Sequence, residues 1–411
     1  MLNKSHFNNL DGHDFLLSLE TRGIKLGLSR TKKLLSACNN PENSFKSIQI
    51  IGTNGKGTTA ASISSILSQA GLNVGLYTSP HLVSLNERIR INNKCISNRY
   101  INEFIEKYKK DIIDHSATFF ETLTVLALDF FKKNNVDIAI LETGLGGEYD
   151  SVTASKPSLQ IFTSISKDHM HILGTDIQDI AITKARAIQN HIPCISLPQE
   201  PKVQQILDDI AKQQETFIDY NLGKLADDYV LPLMGEHQKQ NILLAIKASQ
   251  RIYPSINQDI IRRGIKNISW PGRMQIINKH PLIIFDVAHN EQGLLAFCNT
   301  ITDLSIQGKK TLVISLQKTK AIDGVTSKLI SLFDTIICTQ LNDRMYNEIE
   351  LMDIFTSCKN LESTQNPSKV IDDIMSHASD EDLIAIIGSH YWGEEIEKIF
   401  KISLVSTQDK L

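Results

Sequence analysis

Ser47-Ile48-Gln49-Ile50-Ile51 runs without a break into Gly52-Thr53-Asn54-Gly55-Lys56-Gly57-Thr58-Thr59. The apolar run predicts a buried strand, and Thr58–Ala70 predicts a helix with Ile63, Ile66 and Leu67 on one face. Gly71 follows where a left-handed C-cap belongs. Strand, glycine loop and helix in that order make a phosphate site. Glycines let successive backbone N–H groups converge on phosphate oxygens, Lys56 brings a charge for the β- and γ-phosphates, and Thr58 can ligate Mg²⁺. The plain alternative is a glycine-rich turn without a ligand, and a lysine set among three glycines argues against it. Gly57 separates Lys56 from Thr58, unlike the common P-loop. The nucleotide contacts expected here are Gly52, Thr53, Asn54, Gly55, Lys56, Gly57, Thr58 and Thr59.

Outward from the loop, short apolar runs alternate with helical patterns, as in a parallel sheet covered by helices. Candidate strands are Ser47–Ile51, Val74–Tyr77, Asp137–Leu141, Leu159–Ile165 and Ile192–Ser196. A second series follows Trp270-Pro271-Gly272, with runs at Leu282–Phe285, Thr311–Ser315, Thr335–Thr339 and Leu383–Ile387. The expectation is an α/β chain of two domains, residues 1–271 and 272–411. The first is P-loop NTPase-like with a mostly parallel sheet, and the second is a smaller Rossmann-like unit.

The chain has 411 residues, 41% of them hydrophobic and 22% charged, which is ordinary globular composition. A formal net charge of −3, with no block of like charge, argues against nucleic acid and for small-molecule partners. Six scattered cysteines (Cys38, Cys95, Cys194, Cys298, Cys338 and Cys358) suggest isolated buried thiols rather than disulfides or a thiolate metal site. Met1 to Phe15 lacks the apolar core of a signal peptide, and no stretch reaches the length of a membrane span, so a cytoplasmic, membrane-free protein is expected.

Chemistry-bearing residues cluster at the carboxyl ends of these strands, the edge at which open α/β sheets bind ligands. Glu142 precedes Gly144-Leu145-Gly146-Gly147, and a hard oxygen ligand there can hold Mg²⁺ beside phosphates. Asp168-His169 follows Leu159–Ile165, and Asp286-Val287-Ala288-His289-Asn290 follows Leu282–Phe285. Asp286 can accept from a ribose hydroxyl, with His289 and Asn290 in reach of phosphates or an acceptor amine. Gln238 and Asn241, three apart, share a helical face on which both amides can read an adenine edge or ribose. Considered alone, Glu142 is equally a turn cap, Lys184 a solvated helix lysine, and Arg273 an interdomain ion pair.

The loop GTNGKGTT resembles that of the Mur ligase superfamily, and within it the folylpolyglutamate synthase/dihydrofolate synthase family. The resemblance extends over nearly the whole chain, through Gly27-Leu28-Ser29-Arg30, Thr78-Ser79-Pro80-His81-Leu82, Asp168-His169 with Leu173-Gly174, Gly235-Glu236-His237-Gln238, Pro271-Gly272-Arg273, Asp286 to Asn290, and Gly388-Ser389 to Glu394. It implies that Ser79, Glu142 and His169 surround a Mg²⁺, joined by Thr58, and that Lys184 is the lysine of the family's EKAGI pattern. That lysine is commonly carbamylated and ligates a second Mg²⁺. It further implies that Arg273 reaches the ATP phosphates from a hinge, that Ser389 contacts phosphate or glutamate, and that Lys56, Arg273, His289 and Lys184 carry the chemistry. The chain departs from the pattern at several positions, and its Gly388–Glu394 segment is one residue shorter than the family's GSxxxxGE. Glu148 stands where the family's GLGGRxDATN has Arg, and Thr183 and Arg186 stand where EKAGI has Glu and Gly.

The function implied is ATP-dependent addition of L-glutamate to dihydropteroate or a reduced folate, with ATP and Mg²⁺ (one or two ions), room for a monovalent cation, and a monomeric protein. A cell-wall Mur ligase is the runner-up, set aside because 51 residues before Gly52 leave no room for a UDP-binding domain. A GTPase-like switch would need an NKxD motif, which is absent. A non-enzymatic nucleotide-binding protein finds support only in Glu148.

Overall fold

The computed structural model describes residues 11–225 and 229–405, so the reading of residues 1–10 lies outside the described residues. Eight strands build the larger sheet: β1 (Lys46–Ile51), β2 (Val74–Tyr77), β3 (Ile89–Ile91), β4 (Lys94–Cys95), β5 (Ile138–Glu142), β6 (Leu159–Phe162), β7 (Cys194–Ser196) and β8 (Ile218–Asp219). Their order is β4-β3-β2-β5-β1-β6-β7-β8, parallel from β2 to β8, with β3 and β4 added antiparallel at one edge. Six more form the second sheet: β9 (Gln275–Lys279), β10 (Leu282–Asp286), β11 (Lys310–Ile314), β12 (Thr335–Thr339), β13 (Leu361–Thr364) and β14 (Leu383–Ile387). Here the order is β13-β12-β11-β14-β10-β9, parallel except for β9. This is the α/β architecture read from the sequence.

The glycine loop leads from β1 into the helix Lys56–Gln69, two residues earlier than the periodicity placed its start. This helix is buried almost all round, because the sheet lies on one side and the helices Glu236–Ile252 and Gln258–Lys266 on the other. Gly264 permits that closeness: a Cβ there would stand 2.6 Å from Ile66 Cα. Ser65 Oγ donates to the Gly264 carbonyl at 2.6 Å across the same contact. Each fully buried Leu, Ile or Phe in such a layer contributes about 1.5–3 kcal/mol. Gly71 has φ +88, the left-handed C-cap expected of it.

Register fixes where the chemistry sits. Ile50 of β1 lies opposite Glu142 of β5, and Ile51 opposite Phe162 of β6, so the segments after these strands leave the sheet at one edge. In the second sheet Asp286 lies opposite Ile387, which also pairs with Ile314 of β11. The carboxyl edges of the two sheets meet across a cleft. All six cysteines are buried thiols. Among the described residues no helix is long and apolar enough to cross a membrane.

Candidate active site

Gly55 caps the helix Lys56–Gln69 in a left-handed conformation, φ +86. A Cβ there would also meet Asn241 Oδ1 at 2.3 Å, so only glycine serves. The loop's donors divide into two groups. Thr53 N–H and Asn54 N–H both donate to the Ser164 carbonyl, at 2.8 and 3.3 Å. Those two amides are occupied by protein, which narrows the expected cradle. The N–H groups of Gly55, Lys56, Gly57 and Thr58 have no partner among the described residues, as the open first turn of a helix leaves them. Thr59 Oγ1 is buried and also without a partner. Four open amides at the start of a helix fit a phosphate group.

Lys56 Nζ donates to the Thr53 carbonyl at 3.1 Å and stands 3.9 Å from Glu142 Oε1. Burial raises the pKa of Glu142, opposed by Lys56 and by the Ser79 N–H, which donates to Oε2 at 3.2 Å. Ser79 and Glu142 are thus brought together as expected. His169, in a left-handed backbone at φ +50, lies beside Asp168, with Nε2 4.0 Å from Oδ1. Among the described residues no group of three or more His, Cys, Asp or Glu side chains is arranged to hold a metal. Of the expected ligands, Ser79 and Glu142 are in contact through the Ser79 N–H, and the Lys56 charge acts on both Glu142 and His169.

Lys184 is buried and donates through Nζ to the Gly52 carbonyl at 2.7 Å. Burial, with Lys56 nearby, lowers its pKa to about 7. Burial thus favours the neutral amine. A helical lysine read locally as solvated is in fact wedged under the phosphate loop.

From the other sheet, Arg273 lines the cleft together with Ser79, Glu142, Trp270 and His390. Burial lowers its pKa, against the pull of Asp286 and Glu142. Asp286 accepts from Met274 N–H and Ala288 N–H, both at 2.7 Å. It therefore braces the turn that carries Arg273, an engagement the sequence reading, which offered Asp286 to a ribose, did not foresee. Gln238 and Asn241 pair with each other at 3.3 Å, both buried, and Asn241 packs on Gly55. Ser389 is buried, its Oγ accepting from Tyr391 N–H at 3.2 Å.

These geometric findings converge with comparison to known proteins. Residues 50–231 match the Mur ligase middle domain, and residues 272–390 match the Mur ligase glutamate ligase domain. The dihydrofolate synthase/folylpolyglutamate synthase of Bacillus subtilis is 30% identical over 92% of this chain and 96% of its own length. That of Escherichia coli is 30% identical, covering 92% of each. The chain belongs to the dihydrofolate synthase/folylpolyglutamate synthase family. Its structure superposes on E. coli FolC in complex with DHPP and ADP with a TM-score of 0.86 at 28% identity, covering 96% of this chain and 98% of that one. The Yersinia pestis bifunctional enzyme complexed with AMPPNP and Mn ion gives 0.85 at 27%, covering 96% and 99%. Like its family, the chain is an ATP-dependent ligase.

Sequence reasoning singled out Asn54, Asp168, His289 and Asn290 but not that they join the two halves of this family's site, and it missed Gln292 and Lys320. Asn54 and Asn290 exchange amide hydrogen bonds, 3.1 Å one way and 2.9 Å the other, and Asn54 also donates to Gln292 Oε1 at 2.8 Å. Asp168 accepts from Lys320 Nζ at 2.5 Å and from Asn290 Nδ2 at 3.0 Å, with His289 Nε2 3.8 Å away. Burial would raise the Asp168 pKa, but Lys320, His169 and His289 together hold it well below the usual carboxylate range. Lys320 is 5% exposed, and removing one partner of so buried a pair costs about 3–5 kcal/mol. No local pattern marks Lys320, since its partner lies 152 residues away. The only available signal was that Asp168 lies in the loop that follows strand β6 at the carboxyl edge.

Proposed function

We propose that the chain joins L-glutamate to dihydropteroate, to a reduced folate, or to both, using ATP and releasing ADP and phosphate. The observation that carries this reading is the cleft between the two carboxyl edges, where the phosphate loop and Glu142 face Arg273 and His390. A carboxylate does not condense with an amine in water, because its oxygen leaves poorly. The acceptor's carboxylate attacks the γ-phosphorus of ATP to give an acyl phosphate, and the glutamate amine then displaces phosphate. Lys56, the open amides of Gly55 to Thr58, and Arg273 hold the phosphate charge and orient it. Ser79, Thr58, Glu142 and His169 would hold Mg²⁺, with Lys184 at a second position; the bound ion neutralises phosphate charge. His289 and Ser389 lie on the glutamate side. The enzyme works as a cytoplasmic monomer, with its domain boundary between residues 271 and 272.

Labelled glutamate, ATP and Mg²⁺, offered with dihydropteroate and tetrahydrofolate separately, test the function. Label is expected in at least one folate product, with ADP released in step. ADP release that ignores both acceptors overturns the reading.

Two outcomes follow for the metal centre. Glu142→Gln and His169→Ala should each move the Mg²⁺ activation midpoint upward by about tenfold or more, because a hard oxygen or an imidazole is lost. An unchanged titration removes that residue from the ligand set. At Lys184, a neutral amine can add CO₂, forming an N–C bond and releasing a proton. Protein equilibrated with ¹³C-bicarbonate should then show a carbamate carbon resonance that Lys184→Arg lacks. A spectrum shared by both proteins rules the modification out.

A further inference from the structure

The helix Trp392–Phe400 stops at Lys401, whose left-handed backbone, φ +52, turns the chain back on itself. The returning segment is pinned at two points. Leu404 N–H donates to Glu397 Oε1 at 2.7 Å, and Ser403 Oγ donates to the Val405 carbonyl at 2.7 Å. Leu404 and Val405 are buried, whereas Ile402 just before them is exposed. The apolar cluster they join draws on both halves of the molecule, with Phe285, Val287 and Trp392 from the second domain and Leu82, Val83 and Cys95 from the first. The halves approach closely at this point: a Cβ on Gly393 would stand 2.5 Å from the Leu82 carbonyl oxygen.

Val405 also lines the cleft itself, in company with Ser79, Glu142, Arg273 and His390. Its side chain has no polar atom, so what it does there is fill space and deny water a partner. We propose that Val405 is a wall of the reaction cleft that keeps water from the acyl phosphate, with Leu404 as the positioning residue that holds it in place. The inference rests on the ligase reading above. Because the segment's packing partners come from both domains, the wall is complete only when the cleft is shut. The chemistry shows why a wall matters. When the glutamate amine attacks the acyl carbon, a C–N bond forms, the C–O bond to phosphate breaks, phosphate leaves with the bonding pair and the amine gives up a proton. When water attacks the same carbon, a C–O bond forms instead, the same phosphate leaves, and the acceptor returns as a carboxylate with a proton released. One ATP is then consumed without an amide.

The test sets ADP released against amide formed, using the full chain with ATP, Mg²⁺, labelled glutamate and whichever of dihydropteroate and tetrahydrofolate it accepts. The parent is expected to release about one ADP per amide, and little ADP when glutamate is left out. Val405→Ser and Leu404→Ala are each expected to raise acceptor-dependent ADP release without glutamate by about fivefold, and to bring the ratio of ADP to amide to about two. Val405→Ile should keep the parent ratio. Val405→Thr, close to valine in shape but bearing a hydroxyl, should move the ratio in the same direction as serine, and decides the matter if the serine variant fails a thermal melt. A merely structural role lowers ADP and amide together and leaves the ratio at the parent value, which overturns the wall. Extra ADP release that ignores the acceptor overturns it too, since that is plain hydrolysis of ATP. A parent without acceptor-dependent ADP release overturns the ligase reading, and the wall with it.

Discussion

Lys56→Ala is expected to cut acceptor- and glutamate-dependent ADP release by about 10²–10³-fold while the protein stays folded. The structure separates these effects. Lys56 Nζ has one hydrogen bond, to the carbonyl of Thr53 in its own loop, and a longer approach to Glu142 at 3.9 Å. Its side chain is 15% exposed and bridges no core cluster. What it contributes to the folded chain is one local contact, whereas in the reaction it stands where negative charge accumulates on the transferring phosphoryl group. Truncation leaves Glu142 more easily protonated, since Lys56 is the leading influence opposing its burial. The apparent Mg²⁺ requirement should therefore rise along with the loss of turnover. Steady-state ADP release and a thermal melt on the same sample check both halves. Turnover within threefold of the parent would refute the phosphate-loop assignment.

Arg273→Ala should lower turnover by about 10²-fold while weakening ATP binding by less than about threefold. The unequal effect follows from which half of the molecule holds the arginine. Gly272, at φ +74, accepts from Val287 N–H at 3.0 Å, and Met274 N–H donates to Asp286 at 2.7 Å. Arg273 is thereby tied at both neighbours to β10 and moves with the second domain. Trp270 belongs to the other side: its ring closes on Gly57, where a Cβ would meet it at 2.8 Å. The proposed hinge therefore falls between them, at the Pro271 junction. Nucleotide held by the first domain in an open state gains little from Arg273, and the guanidinium reaches phosphate when the cleft shuts. Nucleotide titration of the mutant, set beside its turnover and beside small-angle scattering with and without ligands, measures this. A loss confined to ATP affinity, with a radius of gyration indifferent to ligand, contradicts the hinge.

How much of this was legible depended on how locally each feature is encoded. Val74–Tyr77, Thr335–Thr339 and Leu383–Ile387 were read to the residue, because fully buried parallel strands are unbroken apolar runs. Strand β13, Leu-Glu-Ser-Thr at a half-exposed edge, carries no such run and was not seen. Nor was β9, whose antiparallel pairing leaves exposed positions among half-buried ones, or the two-residue β8. In the site, Glu142 and Asp286 announced themselves by ending strands. Lys184 read locally as surface, because its burial is imposed by the glycine loop that packs on it. Lys320 gave no sign at all. Its partner Asp168 is in the other domain, and periodicity carries no information about pairs that distant.

The amide pair between Asn54 and Asn290 has a consequence for signalling within the molecule. Asn54 belongs to the very loop that receives phosphate, and Asn290 caps the helix Glu291–Thr302 of the opposite domain. Occupancy at one site and the global arrangement of the two halves are therefore linked through two side chains in direct contact. Communication between distant sites ordinarily calls for a chain of packed residues with two alternative arrangements. Here the relay is one contact long, with the bonds of Asn54 to Gln292 and of Lys320 and Asn290 to Asp168 beside it, so the coupling between nucleotide and closure is a local quantity set by this small cluster.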